Sequence, residues 1–253
     1  MRLLEVIGLT KRYAGLTALD AVSFTVEEGT ILGLFGPNGA GKTTCFHCLS
    51  GFVAPDSGRV IYDGREITTE PAHRLAQRGI ARTFQIVKPF RQLTAVENVM
   101  VALGHDHYQR LSAILSSWRT SAVRERALHV LERVGLAREA DRQAGLLPLG
   151  MLKRLEVARA LALKPRLLLF DEPLGGLSHE EMTAAAELIR SLRAEGLTVI
   201  LVEHQMRVAM SLVDRVVVLD HGALIASGPP ERMRHDPRVV KAYLGEDARA
   251  QDH

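Results

Sequence analysis

The stretch ILGLFGPNGAGKTTCFHCLSGF, Ile31 to Phe52, runs from a short apolar segment through a glycine-rich turn into a pattern that suits a helix. Its centre, Gly36-Pro37-Asn38-Gly39-Ala40-Gly41-Lys42-Thr43-Thr44, satisfies G-x-x-x-x-G-K-[ST] in the setting where that motif has a mechanism: after a buried strand and before a helix. Glycines let the backbone wrap closely enough for its N–H groups to point at phosphates, and the helix N-terminus adds a favourable dipole. In such a loop Lys42 reaches the β- and γ-phosphates and the Thr43 hydroxyl ligates Mg²⁺, so ATP and Mg²⁺ are the expected ligands.

Downstream, RLLLFDEP (Arg166 to Pro173) supplies a complementary element. Four apolar residues predict a buried strand, and two carboxylates stand at its C-terminal end, where α/β sheets bind their ligands. Asp171 is suited to hold Mg²⁺, directly or through water, and Glu172 to polarise the water that attacks the γ-phosphate.

The surrounding segments define the architecture. LLEVIGLTKRY and ALDAVSFTVEEGT alternate as two antiparallel strands, and APDSGRVIYDGREI predicts a turn and a second hairpin. From about Thr94 to Arg142 the apolar spacing changes to three and four residues, which predicts an inserted helical lobe. RLLLFDEP, LTVILVEH and RVVVLDHG then read as buried strands separated by EEMTAAAELIRSLRAEG and QMRVAMSLV, the pattern of a mostly parallel sheet. The tail is polar and proline-punctuated, with a short amphipathic piece around Val239 to Leu244.

Composition narrows the classes. The chain has 253 residues, enough to bury a full core, and 24% of them are charged. Its apolar runs are strand-length, far below the roughly 20 residues of a membrane helix. MRLLEVIGLTKRY lacks the apolar centre and cleavage site of an export signal, so a cytoplasmic protein is expected. The net charge of +3 is mild, and the basic residues are dispersed instead of forming a stripe, which argues against a nucleic-acid partner. Cys45 and Cys48 are spaced C-x-x-C, but no second Cys or Cys/His pair completes a zinc site, so they are read as core residues on the helix after the phosphate loop.

Together these motifs resemble an ATP-binding subunit of an ABC transporter, over roughly residues 4 to 245. The resemblance implies an α/β fold: a P-loop NTPase (RecA-like) core with an N-terminal antiparallel β subdomain and an inserted α-helical subdomain. It divides a single ABC ATPase domain, 1–245, into a nucleotide-binding core with the β subdomain (1–88 and 156–228) and a helical subdomain with the signature loop (89–155), followed by a tail (229–253). It also implies that Tyr13 stacks on adenine, that Gln85 in ARTFQ contacts Mg²⁺ and couples the site to a membrane subunit, and that His204 in LVEH reaches the γ-phosphate. Ser178 stands where many members have an aspartate; with Glu181 it forms the S-x-x-E pattern of a helix capping box.

LLPLGMLKRLEVARAL, Leu146 to Leu161, occupies the place of the family's signature loop, usually LSGGQ, which closes over the nucleotide of the opposite subunit. Pro148 replaces the serine and has neither hydroxyl nor N–H to give, Leu149 replaces the first glycine, Gly150 is kept, and Met151 replaces the glutamine. What is left for the phosphate is the N–H of Gly150 and its neighbours and the dipole of a helix predicted over Leu152 to Leu163. One lost hydroxyl bond to a charged phosphate is worth about 1.5–3 kcal/mol, so a weaker clamp is expected on this side of the dimer.

GIARTFQ, LTAVENVMVAL and the ending DPRVVKAYLGE are similar to the branched-chain amino-acid uptake branch, which also often carries a proline-containing, one-glycine signature. That implies uptake of branched-chain amino acids or related small polar solutes by an importer with integral membrane permease subunits, a second ABC ATPase subunit in a hetero- or homodimer, and an extracytoplasmic solute-binding protein. The chain would sit on the inner face of the cell membrane. Urea, amide or lipid-type cargo, and a non-transport ABC ATPase, are the alternative readings.

Overall fold

The computed structural model describes residues 1–104 and 120–250. The part of the predicted helical subdomain between residues 105 and 119, and the last three residues of the predicted tail, lie outside the described residues.

Strands β1 (Arg2–Tyr13) and β2 (Leu16–Glu27) form an antiparallel hairpin, its two turn residues Ala14 and Gly15 both at positive φ (41° and 92°), the backbone that matches strand twist. Next come β3 (Ile31–Phe35), helix α1 (Lys42–Leu49) and a second hairpin, β4 (Ser57–Tyr62) with β5 (Arg65–Glu66), which turns at Asp63 and Gly64 as predicted. α2 (Ala72–Gln77) leads into β6 (Ile80–Arg82). α3 (Ala95–Leu103) and α4 (Ser121–Arg133) lie in the helical lobe, and α5 (Leu149–Leu161) follows it. The chain then alternates through β7 (Leu167–Asp171), α6 (His179–Ala194), β8 (Thr198–Val202), α7 (Met206–Ala209), β9 (Arg215–Asp220), β10 (Ala223–Gly228), α8 (Pro230–Met233) and α9 (Pro237–Ala250).

Two sheets result, a four-stranded antiparallel one in the order β2-β1-β4-β5 and a six-stranded one in the order β10-β9-β3-β8-β7-β6. In the second, β9, β3, β8, β7 and β6 are parallel and β10 is antiparallel at the edge. One core cluster joins both sheets to α1 through Cys45, Phe46, Cys48 and Leu49; the other packs the opposite face of the parallel sheet against α5, α6 and the helical lobe. Burying one Phe of the size of Phe35, Phe46 or Phe170 contributes about 1.5–3 kcal/mol.

The lobe is tied off where it enters and leaves. Ala95 and Val96 N–H donate to the Arg142 and Ala140 carbonyls, and Ala144 and Gly145 N–H to those of Leu93 and Arg91. Thr94 caps α3 with Glu97 in a reciprocal capping box.

Two predicted bounds shift. α5 starts at Leu149, three residues before the predicted Leu152, because Pro148 has the extended conformation of an N-cap (φ −65°, ψ 162°) and Leu149 and Gly150 enter the first turn. The helix is continuous through Leu155 and Glu156, one ladder of backbone bonds spanning them. In the tail, the short piece around Val239 to Leu244 is part of the longer helix α9, which begins at Pro237, a residue tolerated in a first helical turn.

Candidate functional site

β3 ends at Phe35 and the chain turns through Gly36 to Ala40 into α1. A Cβ on Gly36 (φ 146°) would lie 2.1 Å from the Leu219 carbonyl oxygen, so only glycine lets the loop leave β3 beside β9. Gly41 caps α1 in the left-handed region (φ 99°), where a Cβ would meet the Ala18 carbonyl oxygen at 2.4 Å. The Lys42 ammonium, on a residue 6% exposed, donates to the carbonyls of Gly36 (2.6 Å) and Pro37 (2.8 Å), which holds a positive charge inside the loop. Thr43 is exposed, Thr44 partly so, and Asn38 and Gly39 form the exposed crest of the loop, while Pro37 and Ala40 are buried. The Gly36 N–H donates to the Tyr243 hydroxyl of α9 at 2.8 Å.

The parallel ladder β3-β8-β7 puts the C-terminal ends of these strands on one edge, with Asp171 in register with Val202. Glu172 follows β7 in the left-handed region at φ 49°, which is uncommon for a residue other than glycine. Its carboxylate is bracketed: Gln85 Nε2 donates to Oε2 at 2.8 Å, and His204 Nε2 lies 3.0 Å from Oε1. Three residues predicted to act together, from the segments after β6, β7 and β8, thus meet on one carboxylate.

Asp171 has a partner the sequence reading missed. Arg82 Nη2 lies 2.7 Å from its Oδ2, with both side chains buried. Arg82 Nη1 donates to Ser50 Oγ at 3.0 Å, and the guanidinium lies 5.4–5.6 Å from the ring centres of Phe46, Phe52 and Phe84. Arg82 is visible in ARTFQ, but nothing local to that segment shows that it reaches the end of another strand.

Two buried glutamates were also missed. Glu203, 2% exposed, accepts the N–H groups of Leu174 (2.6 Å), His204 (3.1 Å) and Gln205 (3.4 Å), and so joins the loop after Glu172 to the His204 segment. Burial raises its pKa against the pull of those N–H groups. Glu156 of α5 accepts the Phe84 N–H at 3.1 Å, one residue before Gln85, and burial pushes its pKa up to about 7. The available signal was a charged residue directly after an apolar strand (LVEH) or inside a helix's apolar run (RLEVARAL).

Tyr13, a residue 42% exposed, lies at the end of β1 with the Lys11 ammonium 5.5 Å from its ring centre; no contact joins it to the phosphate loop among the described residues. Cys45 and Cys48 are buried as read, and burial raises both thiols, Cys48 to about 11.

In the signature segment Pro148 makes no side-chain cap, and Gly150 is buried in its own chain: a Cβ there would lie 2.3 Å from Glu181 Oε1. Glu181 is held by the capping box predicted for α6, with Ser178 N–H donating to its Oε2 (3.0 Å) and its own N–H donating to Ser178 Oγ (3.2 Å).

A family model described as "ABC transporter" matches residues 19–175, and one described as "Branched-chain amino acid ATP-binding cassette transporter" matches residues 223–249. The chain is 45% identical to the high-affinity branched-chain amino acid transport ATP-binding protein BraF of Pseudomonas aeruginosa, over 96% of this chain and 98% of that protein. It is 42% identical to the corresponding protein LivG of Salmonella typhimurium over the same shares. Among solved structures, the ADP conformation of MJ1267, an ATP-binding cassette of an ABC transporter, superposes with a TM-score of 0.86 at 30% identity, covering 97% of this chain and 99% of that one.

Proposed function

We propose, from the premise that this chain belongs to the ABC transporter family as one of its ATP-hydrolysing subunits, that the transporter it serves takes up branched-chain amino acids or related small polar solutes. As such a subunit it works against membrane-embedded permeases and pairs with a second ATPase subunit, peripheral to the membrane. We further assign it to the cytoplasmic face and to a system fed by an extracytoplasmic solute-binding protein. The match of residues 223–249 to the branched-chain model supports the cargo. Residues 1–245 act as one ABC ATPase domain.

The observation that carries the catalytic reading is the Glu172 carboxylate, bracketed by Gln85 and His204 on the sheet edge that also bears the phosphate loop. The loop Gly36 to Thr44 cradles the phosphates with backbone N–H groups, Lys42 exchanges its carbonyl partners for β- and γ-oxygens, and Tyr13 stacks on the base. Glu172 orients and deprotonates the attacking water, while His204 steadies the γ-phosphate. Thr43, Gln85 and Asp171 offer hard oxygen donors, the few protein ligands that Mg²⁺ takes when phosphates and water complete its shell. Bound Mg²⁺ supplies charge neutralisation at the transferring phosphoryl group. Gly150 meets the nucleotide of the opposite subunit. Beside Gln85, a groove of about 610 Å³ lined by Phe52, Phe84, Lys88, Phe90 and Arg159 suits the seat of a permease segment.

Deleting the gene and measuring uptake of labelled leucine, isoleucine and valine tests the cargo: loss of all three is expected, and unchanged uptake with lost urea or amide uptake would replace it. For the site, Glu172→Gln should bind ATP without turnover; turnover at the wild-type rate would remove Glu172 from its role. In a heterodimer the partner's nucleotide meets this chain's weaker signature, so Lys42→Ala here and the equivalent change in the partner ATPase should differ in severity; equal losses would reject that asymmetry.

A further inference from the structure

Two of the charged side chains of helix α5, Lys153 and Glu156, stand three residues apart and therefore on one face. Lys153 Nζ donates to the backbone carbonyl of Glu172 at 2.8 Å. Glu156 accepts the N–H of Phe84 at 3.1 Å, next to Gln85. One face of the signature helix thus reaches, within its own subunit, the backbone of the two segments whose side chains meet at 2.8 Å on the Glu172 carboxylate.

The contact to Glu172 falls where the backbone needs it. A left-handed non-glycine residue persists only when its surroundings over-determine it, and the two peptide groups that flank the Glu172 Cα are each held: the Glu172 N–H donates to the Val202 carbonyl at 3.0 Å, and the Glu172 carbonyl accepts Lys153. A change in the Glu172 backbone dihedrals that reorients its Cα–Cβ bond would carry the carboxylate away from Gln85 and His204. The second N–H on this carbonyl, from Gly175 at 3.3 Å, is longer and uncharged. Lys153 is half-buried and lies among the carboxylates of Glu203, Glu156 and Glu172, which keep a cation favourable there although burial lowers its pKa.

We propose that Lys153 is a positioning residue for hydrolysis, fixing the backbone of Glu172 from the signature helix of the same subunit, and that Glu156 does the same for the segment bearing Gln85. The signature helix then serves two sites, presenting its N-terminus to the opposite nucleotide while setting the carboxylate for its own. This inference rests on the reading of Glu172 given above.

The test uses the full-length chain in its assembled transporter. Lys153→Met should lower kcat about 10- to 100-fold, the scale of a small misplacement in a catalytic constellation, with KM for ATP within about 2-fold of wild type. Lys153→Arg, which keeps the charge and a donor, should recover most of kcat. Wild-type kcat in Lys153→Met, a loss confined to KM, or an arginine variant as impaired as the methionine one overturns the proposal. If Lys153→Met does not fold, Lys153→Gln, which keeps a shorter donor without the charge, takes its place: a reduced kcat at unchanged KM that Lys153→Arg restores supports the positioning role, and wild-type kcat or a loss confined to KM rejects it. Glu172→Gln is measured in parallel. Turnover in that variant sinks the reading of Glu172; loss there with full activity in Lys153→Met sinks only the positioning inference.

Discussion

The guanidinium of Arg82 lies 2.7 Å from Asp171 Oδ2, with the two side chains 6% and 7% exposed. Removing one partner of a buried pair leaves an uncompensated charge and costs about 3–5 kcal/mol. Arg82→Met should therefore lower the unfolding free energy by about that amount in urea titrations without nucleotide. Mg²⁺ with ATP should shrink the deficit, because the cation takes over the charge of Asp171. A deficit that Mg²⁺ and ATP leave unchanged would contradict the assignment of Asp171 to the metal.

Pro148 sits at the N-cap of α5 without a side-chain cap. Pro148→Ser adds a hydroxyl at that end and loses the stiffness of proline in the unfolded chain, so stability should change by less than about 1 kcal/mol. If the loop meets a phosphate across the dimer, ATP-dependent dimerisation of the Glu172→Gln protein should tighten about 10- to 100-fold, matching about 1.5–3 kcal/mol for a charged hydrogen bond. Unchanged dimerisation, measured by sedimentation, would mean that the serine serves only the helix.

Gly150 has a reason inside its own chain, the close approach of Glu181. Gly150→Ala should push that carboxylate off the Ser178 N–H and cost about 1 kcal/mol, the value of a cap. In a Glu181→Ala background the obstacle is gone, so the second substitution should cost less, a coupling of about 0.5–1 kcal/mol in thermal unfolding. Activity lost in both backgrounds alike would belong to the opposite nucleotide site.

Burial holds the Glu156 carboxyl at about 7, against an ordinary 4.5, with Arg159 and Lys153 pulling it down and Asp171 pushing it up. A folded-state pKa above the unfolded one means that the native chain binds more protons in this window, so the contribution is present below about 4.5 and lost as pH rises through about 7. The span corresponds to on the order of 3 kcal/mol. Glu156→Gln keeps an acceptor for the Phe84 N–H and cannot ionise, so its stability relative to wild type should rise between pH 5 and pH 8. Parallel pH profiles of the two proteins would refute the buried, titrating Glu156.

The phosphate loop, the β7 carboxylates, the hairpin turns at Asp63 and Gly64 and the Ser178–Glu181 capping box were all readable because each depends on residues a few positions apart. The signature segment was found by its place, but its helix start was misread, since a proline at an N-cap looks like an interruption until its extended backbone is seen.

Local periodicity and motif spacing in this sequence determined the layered α/β architecture, the phosphate loop and the acidic strand end, because strand and helix periods and turn chemistry are short-range properties. Only the tertiary structure decided that Arg82 closes on Asp171, that Glu203 ties the Glu172 loop to the His204 segment, and that Lys153 and Glu156 anchor the signature helix. Those partners lie on different strands and helices, and a buried charge finds its partner through the packing of the sheet edge, which no local pattern encodes.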